Sequence, residues 1–103
     1  RGNSAYGVSK TAMIAWTDVL SWELMGRVRV NAVAPGFTDT DMGKLDIRFS
    51  TIQSGSVTRI GKTSEIACAI YFLSSDEASF INGHTLVIDG GIESKGGLYG
   101  ERL

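Results

Sequence analysis

The sequence contains only one cysteine, one histidine and one proline in 103 residues. A lone cysteine, Cys68, excludes an internal disulfide and any metal site that needs two cysteines. A lone histidine, His84, excludes a metal site built from several histidines. We therefore expect no metal centre, and the cysteine content is compatible with a reducing, cytoplasmic location.

Neither a surplus of one charge nor a long apolar run is present. Ten basic and eleven acidic side chains give a formal net charge of -1, and no run of five or more like charges occurs. This balance argues against a nucleic-acid partner. No apolar segment approaches the roughly 18 residues of a membrane span, so we expect no membrane partner.

The first third of the chain predicts a helix followed by a strand. Apolar residues recur three and four positions apart and indicate an amphipathic helix from Tyr6 to about Met25. Ser4 is a possible N-cap for this helix, and Gly26 a plausible end. Small and branched apolar residues on both faces of Val28 to Ala34 predict an interior strand, covered on both sides.

The second half repeats the same order of elements. An irregular stretch, with a possible short helix near 41–54, leads to Thr63, which is placed to cap a helix that ends near Ser74. A second buried strand is predicted from His84 to Asp89. The alternation indicates an α/β fold with a parallel sheet. Two strands alone make a poor sheet, so we expect further strands from absent sequence or from another chain.

Tyr6 and Lys10 are the most specific candidates for catalytic residues. Their spacing of four residues places a phenol and an ammonium group on one face of the first helix. A tyrosine that moves protons near neutral pH needs a phenol pKa below its usual value, and a nearby positive charge has that effect. The same spacing also arises by chance on many helices, so it does not by itself establish catalysis.

Several further blocks of the sequence strengthen this interpretation. They are Tyr6-Gly7-Val8-Ser9-Lys10-Thr11-Ala12, Val30-Asn31-Ala32-Val33-Ala34-Pro35-Gly36, Thr38-Asp39-Thr40-Asp41-Met42, Arg59-Ile60-Gly61, Phe72-Leu73-Ser74-Ser75, and Asn82-Gly83 through Asp89-Gly90-Gly91. In this order and spacing they resemble the C-terminal part of a short-chain dehydrogenase/reductase. The resemblance implies part of a Rossmann-type, doubly wound parallel sheet, with about two strands and two main helices, incomplete on its own. Residues 1–103 would form a single partial domain, with a variable substrate lid at 43–62.

The resemblance also assigns roles to individual residues. Tyr6 matches the family's catalytic acid/base, which exchanges a proton with a carbonyl or alcohol oxygen. Lys10 matches the residue that lowers the pKa of the tyrosine and hydrogen-bonds the nicotinamide ribose. The loop after the first strand would hold the carboxamide and a nearby phosphate of NAD or NADP, through Pro35, Gly36, Phe37, Thr38 and Thr40. The loop position agrees with ligand binding at the carboxyl ends of parallel strands.

Some expected features are absent from the sequence. No glycine-rich dinucleotide loop follows a strand, and the family's catalytic serine would fall before Arg1. We therefore expect the 103-residue chain alone to be inactive. Two hypotheses remain: part of an oxidoreductase acting on a small carbonyl or alcohol substrate, or a non-catalytic oligomerisation or assembly module. Both favour a homo-oligomer.

Three weaker signals have simpler explanations. Gly61-Lys62-Thr63 before a helix suggests a phosphate-binding P-loop, but that motif needs a glycine where Ser56 stands. Cys68 lies between two alanines and is expected to be a small packed side chain. Trp16 and Trp22 are interpreted as packing or subunit contacts.

Overall fold

The computed structural model describes residues 4–40 and 59–92. Its elements in chain order are helix α1 (Ser4–Glu23), strand β1 (Ala32–Pro35), helix α2 (Thr63–Ser74), a single 3₁₀ turn (Asp76–Ala78) and strand β2 (Thr85–Ile88). The predicted short helix near 41–54 and most of the predicted lid lie outside the described residues.

Helix α1 begins and ends about two residues earlier than predicted. Ser4 is its first residue rather than a cap outside it. Gly26 closes the helix as expected, because its φ of +81° lies in the left-handed region that glycine adopts without strain. In that turn, the Leu24 carbonyl accepts hydrogen bonds from the N–H groups of Arg27 and Val28, at 2.9 and 3.0 Å.

The hydroxyl groups along α1 hydrogen-bond to the helix's own backbone. Ser9 donates to the carbonyl of Tyr6 at 2.7 Å, and Thr11 donates to the carbonyl of Gly7 at 2.9 Å. Further along, Thr17 and Ser21 bond in the same way to the carbonyls of Met13 and Asp18. Thr17 and Ser21 are the buried residues of α1, and their polar groups are therefore satisfied within the helix itself.

Strands β1 and β2 form a two-stranded parallel sheet. The N–H of Ala32 donates to the carbonyl of His84, and the N–H of Gly36 donates to the carbonyl of Ile88. Both bonds advance in the same direction along the two strands, which defines the parallel register. His84 therefore lies at the entrance to β2, as predicted. No residue of either strand is buried, so two expectations are wrong for the described structure: a first strand covered on both sides and a buried second strand.

Strand β1 is shorter than predicted because side chains take the place of its early ladder bonds. The N–H of Val30 donates to Oδ1 of Asn82 at 2.9 Å, and the Val30 carbonyl accepts from the N–H of Gly83. Asn31 bonds through its side chain to the N–H of His84 and to the carbonyl of Ile81. The backbone before residue 32 is thus satisfied by amide side chains and a turn.

Arg29 fastens the C-terminal end of α2. Its guanidinium group donates to the carbonyls of Leu73, Ser75 and Ile81, at 2.9, 3.1 and 3.1 Å. The last carbonyls of a helix lack intrahelical partners and carry partial negative charge, so a cation at this position is favourable. One side chain therefore links the segment before β1 to the end of a helix more than forty residues later.

The described residues form two compact units. One comprises residues 4–33 and 71–86, with Thr17, Ser21, Leu73 and Ala78 buried. The other comprises residues 34–40, 59–70 and 87–92, with Thr38 buried. Cys68 is exposed, so its predicted packing is wrong; the alanine-flanked position marks helix propensity rather than a buried face.

Candidate functional site

Tyr6 and Lys10 lie one turn apart near the start of α1. The Lys10 Nζ is 5.3 Å from the centroid of the Tyr6 ring, within the distance at which a cation is attracted to an aromatic ring. Tyr6 is 54% exposed. The helix therefore presents a phenol with a positive charge beside it.

The second group of predicted site residues, Pro35 to Thr40, follows the end of β1. Gly36 donates its N–H to the Ile88 carbonyl at 2.9 Å. A Cβ atom built on Gly36 would lie 2.7 Å from Cβ and 2.8 Å from Cα of Asp89. Such distances are too short for any side chain, so the end of β2 requires a glycine here. This contact accounts for Gly36 within the chain itself, independently of the expected approach of a cofactor.

The next residues of the loop are held by their own hydrogen bonds. Thr38 is buried, and its hydroxyl donates to the Gly36 carbonyl at 2.9 Å. The Thr38 carbonyl accepts the N–H of Thr40 at 2.7 Å. The carbonyl of Phe37 accepts the N–H of Gly61 at 2.8 Å. The loop thus has a defined backbone shape, with exposed Thr40 at its far end.

Arg59 and Glu65 form an ion pair beside this loop that the sequence does not reveal. The two bonds are Nη1 to Oε1 at 2.9 Å and Nη2 to Oε2 at 3.0 Å, the paired geometry that a guanidinium and a carboxylate make best. Hydrogen bonding and charge from Arg59 hold the pKa of the Glu65 carboxyl below its ordinary value, and Glu65 raises the pKa of Arg59. Both groups are therefore charged at neutral pH.

The described residues contain neither a cluster of metal-ligand side chains nor a helix that could span a membrane. Within residues 4–40 and 59–92, no three histidine, cysteine, aspartate or glutamate side chains come together as potential metal ligands. Across the same part of the chain, no helix combines the length and apolar character that a bilayer crossing requires.

Similarity to known proteins indicates the family in which the Tyr6–Lys10 pair and the loop after β1 occur. A family model described as enoyl-(acyl carrier protein) reductase matches residues 1–93. Tropinone reductase-like 3 of Erythroxylum coca is 43% identical over 95 residues, covering 87% of this chain and 37% of that protein. The 3-oxoacyl-(acyl-carrier-protein) reductase FabG of Vibrio harveyi is 41% identical over 95 residues, covering 88% and 39%.

Solved structures agree with the sequence matches. A short-chain dehydrogenase/reductase from Brucella melitensis superposes with a TM-score of 0.82 at 40% identity, covering 89% of this chain and 39% of its own. A 4-hydroxyisoleucine dehydrogenase complexed with NADH and succinate gives a TM-score of 0.78 at 36% identity, covering 88% and 39%. The α/β arrangement with parallel strands is therefore that of a Rossmann-type dehydrogenase segment. The chain belongs to the short-chain dehydrogenase/reductase family, and it spans 37–39% of the length of the relatives described above.

Proposed function

We propose that this chain supplies the proton-transfer pair and part of the nicotinamide site of an NAD(P)-dependent oxidoreductase that interconverts a carbonyl and an alcohol. The observation that carries the proposal is the placement of the Lys10 ammonium group 5.3 Å from the Tyr6 ring, in a member of this family. Relatives named as reductases and dehydrogenases support the same reaction class.

Tyr6 acts in this proposal as the acid and base. In the reducing direction its hydroxyl donates a proton to the carbonyl oxygen of the substrate, and in the oxidising direction it accepts the proton of the alcohol. Lys10 favours the donation step, because its positive charge stabilises the phenolate that forms when the proton leaves; for the oxidising direction, the same charge favours the presence of the phenolate that accepts the proton. The exposed position of Tyr6 leaves room for the substrate to reach the hydroxyl.

Each of the two groups of residues, taken by itself, suits part of the nicotinamide half of a dinucleotide cofactor. The Lys10 ammonium can donate to a ribose hydroxyl, while the Thr38 backbone and the Thr40 hydroxyl offer partners for a carboxamide and a phosphate. The fit rests on the ordered loop, where Gly36 and Thr38 are fixed by hydrogen bonds. When bound, NAD or NADP supplies or accepts the hydride. The sequence has no glycine-rich loop for the adenosine half, and we propose that sequence beyond these residues provides it.

The proposal predicts that Tyr6→Phe abolishes turnover. The test uses the chain combined with a complementary N-terminal half from a relative, assayed with a carbonyl substrate and NADH or NADPH. Loss of the proton donor should lower kcat by about 10²- to 10⁴-fold while cofactor affinity stays nearly constant. Tyr71→Phe is the matched control, because Tyr71 is 79% exposed on α2 and should tolerate the change. Activity retained by Tyr6→Phe would remove the catalytic assignment.

A second function, a non-catalytic assembly module, is favoured by one specific observation. The side chains of Trp16 and Trp22 are 62% and 74% exposed, an unusual position for the largest apolar residues and a reason to associate with another copy or a partner. A homo-oligomer is compatible with both functions. For either function we propose a cytoplasmic location, which agrees with the free thiol of Cys68.

Calorimetry with each cofactor separates the two functions. The chain alone should bind NADH and NADPH weakly or not at all, since it lacks the residues for the adenosine half. The mixture with an N-terminal half should bind one of them if the chain belongs to an enzyme. Absence of binding in a mixture that is shown to assemble would favour the assembly module.

A further inference from the structure

The loop after β1 is attached to the rest of its unit at two points. The first is the bond from Gly36 to the end of β2. The second is a short parallel bridge between Thr38 and Gly61, in which Gly61 donates its N–H to the Phe37 carbonyl and accepts the N–H of Asp39, both at 2.8 Å. Because Thr38 lies buried between these two bonds, Gly61 fixes the course of the loop at its centre.

Gly61 is itself enclosed by the Arg59–Glu65 ion pair. Arg59 stands two residues before Gly61 and Glu65 four residues after it, so their double hydrogen bond closes a short ring of chain around the glycine. The Arg59 guanidinium also donates to the Ile60 carbonyl at 3.2 Å, a further hydrogen bond within the same ring.

Helix α2 provides the fixed side of this ring. Glu65 belongs to the first turn of α2, where a carboxylate interacts favourably with the helix dipole. Its backbone N–H donates to the Lys62 carbonyl at 3.0 Å. The helix therefore fixes the position of Glu65. The hydrogen bonds from Arg59 to Glu65 in turn restrict the positions of residues 60–64 between them.

The exposure of the pair indicates a local rather than a global role. The Arg59 and Glu65 side chains are 62% and 39% exposed, and exposed ion pairs contribute little to overall stability. A paired fork of two bonds nevertheless restricts the geometry of the segment that it closes. Loss of the pair should therefore make the hydrogen bonds of Gly61 open more often, and it should leave the free energy of unfolding of the whole chain nearly unchanged.

We propose that Arg59 and Glu65 are positioning residues for the cofactor loop, acting through the hydrogen bonds that Gly61 makes to Phe37 and Asp39. The inference rests on the proposed function only in naming the loop's ligand, the nicotinamide half of NAD or NADP. The placement of the loop by the pair can be tested on the chain alone.

The first test is amide hydrogen exchange of the full chain, followed by NMR. In Glu65→Gln and in Arg59→Lys, the amides of Gly61 and Asp39 should exchange about two- to fivefold faster, as expected for the loss of an exposed but well-formed pair. Both substitutions are conservative, and the chain should remain folded. The amide of Ala32, bonded to the His84 carbonyl, should keep its rate.

Two further variants sharpen this measurement. Arg27→Lys, at an exposed arginine in the turn after α1, is the matched control and should leave the Gly61 and Asp39 rates unchanged. The double variant Arg59→Glu/Glu65→Arg, which swaps the two charges, should return the Gly61 and Asp39 exchange rates at least partly to those of the unmodified chain. Unchanged rates in both single variants, or equal acceleration at Ala32, would overturn the proposal.

The second test uses the assembled enzyme and distinguishes this inference from the proposed function. Glu65→Gln should raise the KM for the nicotinamide cofactor several-fold with little change in kcat, whereas Tyr6→Phe should lower kcat with little change in that KM. A normal cofactor KM in Glu65→Gln, in an enzyme that Tyr6→Phe inactivates, would refute the positioning role and leave the proposed function intact.

Discussion

At the scale of single residues, Gly36 has a structural requirement as well as a proposed functional one. The position that its Cβ would occupy is already filled by the backbone and Cβ of Asp89, which cannot rotate away as a long side chain would. A glycine after the proline thus joins the end of β1 to the end of β2. The role that we propose for Gly36 at a ligand site builds on this contact, because the loop begins at a fixed point.

Gly36→Ala should therefore destabilise the chain by about 1–3 kcal/mol, the usual cost of forcing extra volume into a filled space. The measurement is the free energy of unfolding from urea denaturation. Gly7→Ala is the matched control: nothing lies within 4 Å of its Cβ position, and alanine in a helix should stabilise by about 0.5–1 kcal/mol. Equal stability of the two variants would contradict the importance of the Asp89 contact.

The Tyr6–Lys10 juxtaposition could be predicted at this scale, whereas the Arg59–Glu65 pair could not. Residues four apart on a helix necessarily share a face, so spacing alone brings Lys10 to Tyr6. Arg59 and Glu65 are six apart, and only the non-helical turn through Gly61 brings them together. Glu65 lies in the first turn of α2, a favourable place for a carboxylate, but nothing in the local sequence pattern indicates its partner.

At the scale of elements, the helices were easier to predict than the strands. Apolar periodicity identifies α1, since it follows from the faces of a helix and needs no knowledge of distant residues. It does not mark the ends, and α1 is displaced by about two residues. The first strand is shorter than predicted because Asn82, 52 residues further along the chain, takes the Val30 N–H. Such a contact has no signature in the local pattern.

Arg29 is the residue on which the end of α2 most depends. Arg29→Lys should destabilise the chain by about 1–3 kcal/mol, because one ammonium group cannot reach three carbonyls that a planar guanidinium bonds together. The shift in the urea midpoint measures this loss. In the exposed position of Arg27 the same substitution should change the free energy of unfolding by less than about 0.5 kcal/mol. A comparable effect at both positions would show that Arg29 does not fasten the helix.

At the scale of the whole molecule, the described chain exposes much of its apolar surface. Phe80 is fully exposed, and Trp22 is 74% exposed. The chain also spans only 37–39% of the relatives that it matches. Association would remove such side chains from water, and burial of a large apolar side chain is worth roughly 1.5–3 kcal/mol.

We therefore expect the chain to associate at micromolar concentration. Light scattering should give at least twice the mass of one chain, and Trp22→Gln should shift the equilibrium towards the monomer. Glu23→Gln, a change of the neighbouring exposed residue on α1, serves as the control and should leave the association unchanged. A monomer at every concentration would exclude this surface as a contact.

The hydroxyl groups of α1 bear on what such an association would cost. The hydroxyls of four α1 residues, Ser9, Thr11, Thr17 and Ser21, already donate to carbonyls three or four residues earlier, at 2.7–2.9 Å. A partner that covered the exposed Ser9 and Thr11 would displace water from their hydroxyl oxygens without leaving a donor unsatisfied. These hydroxyls therefore add little to the desolvation penalty of docking a partner against α1.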